Sequence, residues 1–234
     1  MVKSELNKRS PLRIFEKTMH GGLGKGNIGV IASRKGVGKT ACLVHIATDK
    51  LLRDQSIIHV SFSNRTDHII NWYEDIFREI AKKRNLEKAV EVHDEIIKKR
   101  VIMNFSQDGV EIDKVLNSLR AMIQQGNFAA EAIVVDGYDF AKPETGGLSK
   151  VKAFAEELGL EIWIAASLKG KEPIFNNKGV PFELEKYLEE IEVLISLQYH
   201  GEYVHLKLVK DHETIDLLDM NLKLDPKTLL IAEE

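Results

Sequence analysis

The sequence predicts an α/β fold: a single domain over residues 1–234, with a mainly parallel central sheet flanked by helices and antiparallel strands added near the C-terminus. Three observations carry that expectation. Short β-rich runs alternate with amphipathic stretches between residues 27 and 167, the rhythm of strands joined by helical crossovers. A glycine-rich segment ending in Lys-Thr follows the first run and opens a helical stretch. After residue 190 the rhythm changes to closely spaced strand-like runs.

The elements follow in order. Residues 1–20 form a lead-in segment that carries charges but no apolar h-region, so it does not read as a signal peptide. The expected strands are NIGVIA (27–32), SIIHVSF (56–62), RVIMNF (100–105), EAIVVD (131–136) and EIWIAAS (161–167). Between them, Ile69, Tyr73, Ile76, Phe77 and Ile80 mark one helical face. Ile112, Val115, Leu116, Leu119, Met122 and Ile123 mark a second, and Leu148, Val151, Phe154, Ala155 and Leu158 a third. The charged run over 82–100 reads as a solvated helical face. Residues 169–182, rich in Gly, Pro, Asn and Lys, read as a mobile loop. EVLISLQY, EYVHLKLVK and ETIDLLDM then supply the antiparallel strands, with a tight turn at HGE (200–202).

Composition excludes several classes. The formal charge of -3 gives no general attraction to nucleic acid or an anionic membrane, although a local basic patch stays open. No run of about 18 apolar residues occurs, so no membrane span is expected. Cys42 is the single cysteine, which rules out an intramolecular disulfide and fits a cytoplasmic setting. The eight histidines have no metal-ligand spacing. Trp72 and Tyr73 read as parts of a helix–sheet interface rather than a base-stacking platform.

SRKGVGKT (33–40) carries the chemistry. A loop that grips phosphates needs backbone N–H groups turned inward, small residues where bulk would block approach, and a helix beginning at the anion. Ser33, Arg34, Lys35, Gly36, Val37, Gly38, Lys39, Thr40 and Ala41 meet that description between a strand and a helix. Lys39 would reach the β- and γ-phosphates, and Thr40 would place its hydroxyl on Mg2+. Asp136, after four apolar residues in AIVVD, is the expected acidic partner for the metal. Asp139 is a further candidate for the nucleotide or its water, a turn role being the alternative.

The stretch PLRIFEKTMHGGLGKGNIGVIASRKGVGKTACLVHIA (11–47) resembles the first part of the RecA-like ATPase core of the KaiC and DnaB families. GGLGKGNIGVIA (21–32) takes the place of the family segment that leads into the first strand, and Arg34 has a counterpart in the replicative-helicase loop. IIHVSFS, IVVDGYDF, IWIAASLKG and VHLKLVKDHE resemble later strands in order. The resemblance implies a RecA-like fold, ATP and Mg2+ as ligands, and a homo-oligomeric ring or filament with nucleotide between subunits.

The departures are as informative. Where these ATPases place a glutamate that activates water, this chain has Ser63 and Asn64; Asp67, Asp139 and Glu144 are the carboxylates that could substitute. The sensor position is Ser167, and the late basic motif is Lys210, Asp211 and His212, leaving Lys210 as the trans cation. An arginine finger alone contributes about 10³ to 10⁵ in rate, so slow or partner-stimulated hydrolysis is expected. The alternatives are a non-catalytic nucleotide-dependent scaffold that binds a protein partner, and a DNA motor using Lys169, Lys171 and Lys178. A small-molecule kinase is disfavoured because 169–182 contains no arginine for a lid.

Overall fold

The structure, a computed structural model, describes every residue except 1–5, 9, 63–66, 84–87, 107–110, 141–146, 171–172 and 234. Ser63, Asn64, Glu144 and Lys171 therefore lie outside the described residues.

A short helix, α1 (Leu12–Thr18), precedes β1 (Ile28–Arg34), which runs into the glycine-rich loop and α2 (Lys39–Leu52). Then come β2 (Ser56–Ser61), α3 (Asp67–Lys83), α4 (Ala89–Ile97) and β3 (Arg100–Asn104). The second half holds α5 (Ile112–Arg120), prolonged by a π-helical turn, then β4 (Ala130–Asp136), α6 (Gly147–Leu158) and β5 (Glu161–Leu168). A 3-10 helix (Phe182–Tyr187) precedes β6 (Ile191–His200), β7 (Tyr203–Asp211), β8 (Thr214–Leu224) and β9 (Ile231–Glu233).

Among the described residues nine strands form one sheet in the order β3-β2-β4-β5-β1-β6-β7-β8-β9. Pairing is parallel from β3 to β6 and antiparallel from β6 to β9. The fold is thus α/β, with a large and mostly parallel sheet and antiparallel strands at the C-terminal end. EVLISLQY makes the expected antiparallel pairing with β7 across the turn at 200–202 and, in addition, pairs parallel with β1. The segment between β5 and β6 is long enough to carry the chain back for a parallel return, which a hairpin cannot do. β9 has no counterpart among the expected strands.

Strand alternation divides the core between the two faces. Ile31 of β1 packs with α1, α2, α3 and α4, whereas Ile28, Val30 and Ala32 face α5 and α6. α2 is buried along nearly its whole length, which is why its sequence lacks a polar face. A Cβ on Gly29 would lie 2.5 Å from the ring of Trp163, so glycine is what lets the buried indole cross β1. α3 buries Ile69, Tyr73, Ile76 and Phe77, as its periodicity requires.

The run 82–100 is more than a solvated face, because Val92 and Ile96 of α4 enter the core. Within the described part of 169–182, Asn176 Oδ1 accepts hydrogen bonds from the amides of Lys178 and Val180, and Val180 is buried. No described helix is long and apolar enough to cross a membrane.

Candidate functional site

Parallel strands bring their C-terminal ends to one edge, and the sequence-predicted residues meet there. Ser33 is in register with Ser167 across β1 and β5, and Ser61 with Asp136 across β2 and β4. β5 lies between β1 and β4, so the glycine-rich loop and the acidic strand end are two strand steps apart.

The loop is built by its glycines. Gly36 and Gly38 have φ of 83° and 120°, conformations that L side chains rarely adopt. Gly38 caps α2 without a side-chain hydrogen bond, and the first turn of α2 carries no acidic residue. The leading amides of this helix therefore offer donors and a positive dipole end to an anion. Val37 is buried and anchors the loop, whereas Arg34, Lys35 and Gly36 are exposed. The Ala41 side chain is fully buried, so it faces the core and only its backbone can serve a phosphate.

Lys39 is buried, and its ammonium donates to Ser33 O at 3.1 Å and Arg34 O at 2.8 Å. Burial brings its pKa down to about 8, partly offset by the charge of Asp136. A phosphate in the loop would pair with this ammonium and favour its charged form. Thr40 Oγ1 donates to Asp136 Oδ2 at 2.8 Å. Burial raises the Asp136 pKa, opposed by the Thr40 hydroxyl, Lys39 and the Gly137 amide.

The Thr40 hydroxyl and the Asp136 carboxylate fit a hydrated Mg2+, a hard cation that takes oxygen ligands. Among the described residues no cluster of three or more His, Cys, Asp or Glu side chains could hold a metal alone. Phosphate oxygens and water would complete such a shell. Cys42 is fully buried and its thiol pKa is pushed up to about 12 by burial, which makes it a packing residue.

Residues 35–40 and Asp136 line a cleft of about 460 Å³, whereas Ser33, Arg34, Ala41 and Cys42 do not. Asp139 and Ser167 also line it, and both are exposed. Asp67 opens α3 and is not a lining residue. Lys210 is placed elsewhere: it pairs with Leu194 of β6, towards the opposite end of the strands, and donates to Leu188 O at 2.8 Å and to Ile191 O. Burial lowers its pKa. Asp211 is engaged by His20 and His212.

The structure adds residues that the motifs did not signal. Trp72 and Tyr138 line one part of the cleft, and Tyr199, Leu224, Pro226 and Leu229 another. The interface reading of residues 72 and 73 holds for both: Tyr73 is buried and hydrogen-bonded to His59, and Trp72 packs against the core while also lining the cleft. The C-terminal strands approach closely: a Cβ on Gly38 would lie 2.3 Å from Leu224 Cδ2. His45 of α2 is buried, which lowers its pKa to about 4, and its neutral ring contacts Leu229 O through Nε2 at 2.8 Å. No local sequence signal marks these contacts, since they join α2 to residues that are distant in the chain.

Compared with protein-family models and with curated proteins, the chain matches none.

Proposed function

We propose that this protein binds Mg-ATP on a RecA-like domain of the KaiC/DnaB type and hydrolyses it slowly or on stimulation by a partner, acting as a homo-oligomer. The observation that carries the reading is the meeting of Lys39 with the Thr40–Asp136 pair at the mouth of the glycine-rich loop. Backbone amides from Gly36 to Ala41 would hold the β- and γ-phosphates, and Lys39 would pair with their oxygens. Thr40 and Asp136 would hold Mg2+, whose chemistry is to neutralise charge that builds on the transferred phosphoryl group.

Slow turnover has its own support. Among the described residues the cleft offers Asp139 as its second carboxylate and Ser167 as a neutral hydroxyl, while Lys210 is engaged by backbone carbonyls away from it. Beyond Lys39, the described cation that lines the cleft is Lys35, and in the oligomeric reading a second copy would supply another. The same features favour a second reading, a nucleotide-dependent scaffold that binds without turnover.

Calorimetry with Mg-ATP, paired with steady-state phosphate release, tests both. Binding by the wild type that Lys39→Ala abolishes is expected, with turnover at or below the low end for phosphoryl-transfer enzymes, about 1 per second. Absence of binding sinks the proposal. Binding with no turnover at any protein concentration leaves only the scaffold.

A further inference from the structure

α2 begins at the glycine-rich loop and ends beside a second cavity, at the opposite edge of the sheet. This cavity measures about 170 Å³, more room than a single water fills. The last turn of α2, the segment into β2, the start of β5 and the end of α1 enclose it. It shares no lining residue with the cleft at the glycine-rich loop, so it stands apart from the nucleotide reading.

The donors around this cavity are spent. Lys50, whose side chain is buried, pairs with Glu161 at 2.7 Å. Arg53 donates to Glu16 and Asp49, and Arg13 joins the same two carboxylates from outside the cavity. The lining amides of Gly21, Gly22 and Gln55 bond to Glu16 O, Met19 O and Lys50 O at 3.0, 3.1 and 3.0 Å.

The acceptors are not. Asp49 is only 4% exposed, and both arginines that reach it bind Oδ2. Among the described residues, Asp49 Oδ1 and Gln55 Oε1 are buried without a hydrogen-bond partner, which is costly for any buried acceptor. Gln55 Nε2 donates to Glu131 Oε2 at 2.9 Å, and turning the amide over would set its oxygen against that carboxylate.

Charge and shape point to the same occupant. Among the described residues the network joins the cations Arg13, Lys50 and Arg53 to the carboxylates Glu16, Asp49, Glu131 and Glu161, which leaves an excess of one negative charge. No described group of three or more His, Cys, Asp or Glu side chains could hold a bare metal ion. Phe15, Met19 and Trp163 form an apolar wall, with the two aromatic rings 5.5 Å apart. A primary ammonium group supplies a positive charge and three donors with no acceptor, and a short carbon chain suits that wall.

We infer that this cavity binds a small primary ammonium compound, its N–H groups donating to Asp49 Oδ1 and Gln55 Oε1 and its carbon chain lying against Trp163.

The test is calorimetry on the full chain with propylammonium chloride, run at constant ionic strength against potassium chloride and tetramethylammonium chloride. Propylammonium is expected to saturate one site and to bind at least about tenfold more tightly than the other two cations, which carry charge but no N–H donor. Gln55→Met removes one acceptor at similar side-chain length and should weaken propylammonium binding by about tenfold, with a cooperative thermal transition showing that the variant is folded. Should that variant fail to fold, the comparison of the three cations on the wild type decides alone. Absence of saturable propylammonium binding means that water fills the cavity, and it overturns the inference. Equal affinity for tetramethylammonium or potassium, or unaltered affinity in a folded Gln55→Met variant, overturns it as well.

Discussion

Thr40 Oγ1 and Asp136 Oδ2 are hydrogen-bonded at 2.8 Å across 96 positions of sequence. One residue belongs to the first turn of α2 and the other ends β4, so the bond exists only because β5 spaces the two strands correctly.

This pair should behave as a unit towards magnesium. Asp136→Asn is expected to weaken Mg-ATP binding by about 10- to 100-fold, and Thr40→Ala by about tenfold, with a coupling of roughly 1 kcal/mol between them. Removing Mg2+ with a chelator should weaken the wild type strongly and Asp136→Asn little. Calorimetry of the double-mutant cycle with and without Mg2+ checks this, and strictly additive losses would argue against a shared cation.

Lys39 sets a pH limit on binding. Its pKa in the free protein is about 8, and a phosphate partner favours the charged form. Affinity should therefore hold steady below pH 8 and fall as the pH rises above it, by up to about tenfold per unit. An unperturbed lysine would hold its charge to about pH 10. ATP dissociation constants from pH 7 to 10 measure this, and a flat profile through pH 9.5 would refute it.

Gly38 is constrained by both its backbone and its neighbour. Gly38→Ala adds a Cβ at φ 120°, in a position 2.3 Å from Leu224 Cδ2. A loss of about 2–4 kcal/mol is expected in urea unfolding, combining backbone strain with overpacking. Leu224→Ala in the same chain should restore the overpacking part relative to additivity and leave the backbone part. Full additivity of the two variants would deny the contact.

His45 makes the fold acid-sensitive. Its folded pKa is about 4 against an ordinary value of 6.5, with burial as the main cause. Between these values the unfolded chain binds more protons, so its contribution is complete above pH 6.5 and is lost as the pH falls towards 4. The loss is on the order of 3 kcal/mol. His59, buried with a pKa near 3, steepens the same slope. Stability measured from pH 7 to 4.5 should fall less in His45→Gln than in the wild type, whatever the variant costs at pH 7.

Much of the architecture is legible in local pattern. The runs at 27–32, 56–62, 100–105, 131–136 and 161–167 lie within one or two residues of strands, because buried parallel strands read as continuous apolar runs. The glycine-rich loop is equally local: its φ values and the helix that follows are properties of adjacent residues. Val92 and Ile96 were masked by the charges around them, and β9 is too short to leave a periodic signal.

Residue type and spacing alone singled out the glycine-rich loop, Lys39, Thr40 and Asp136, because what a phosphate cradle and an oxygen-bound cation would require is written in short segments. Tertiary structure decided which distant residues share that edge. It turned β6 parallel to β1, carried Lys210 away from the cleft, and folded Leu224, Pro226 and Leu229 back beside α2. Strand order and sheet curvature depend on how the whole chain buries its apolar surface, and no local window of sequence contains that information.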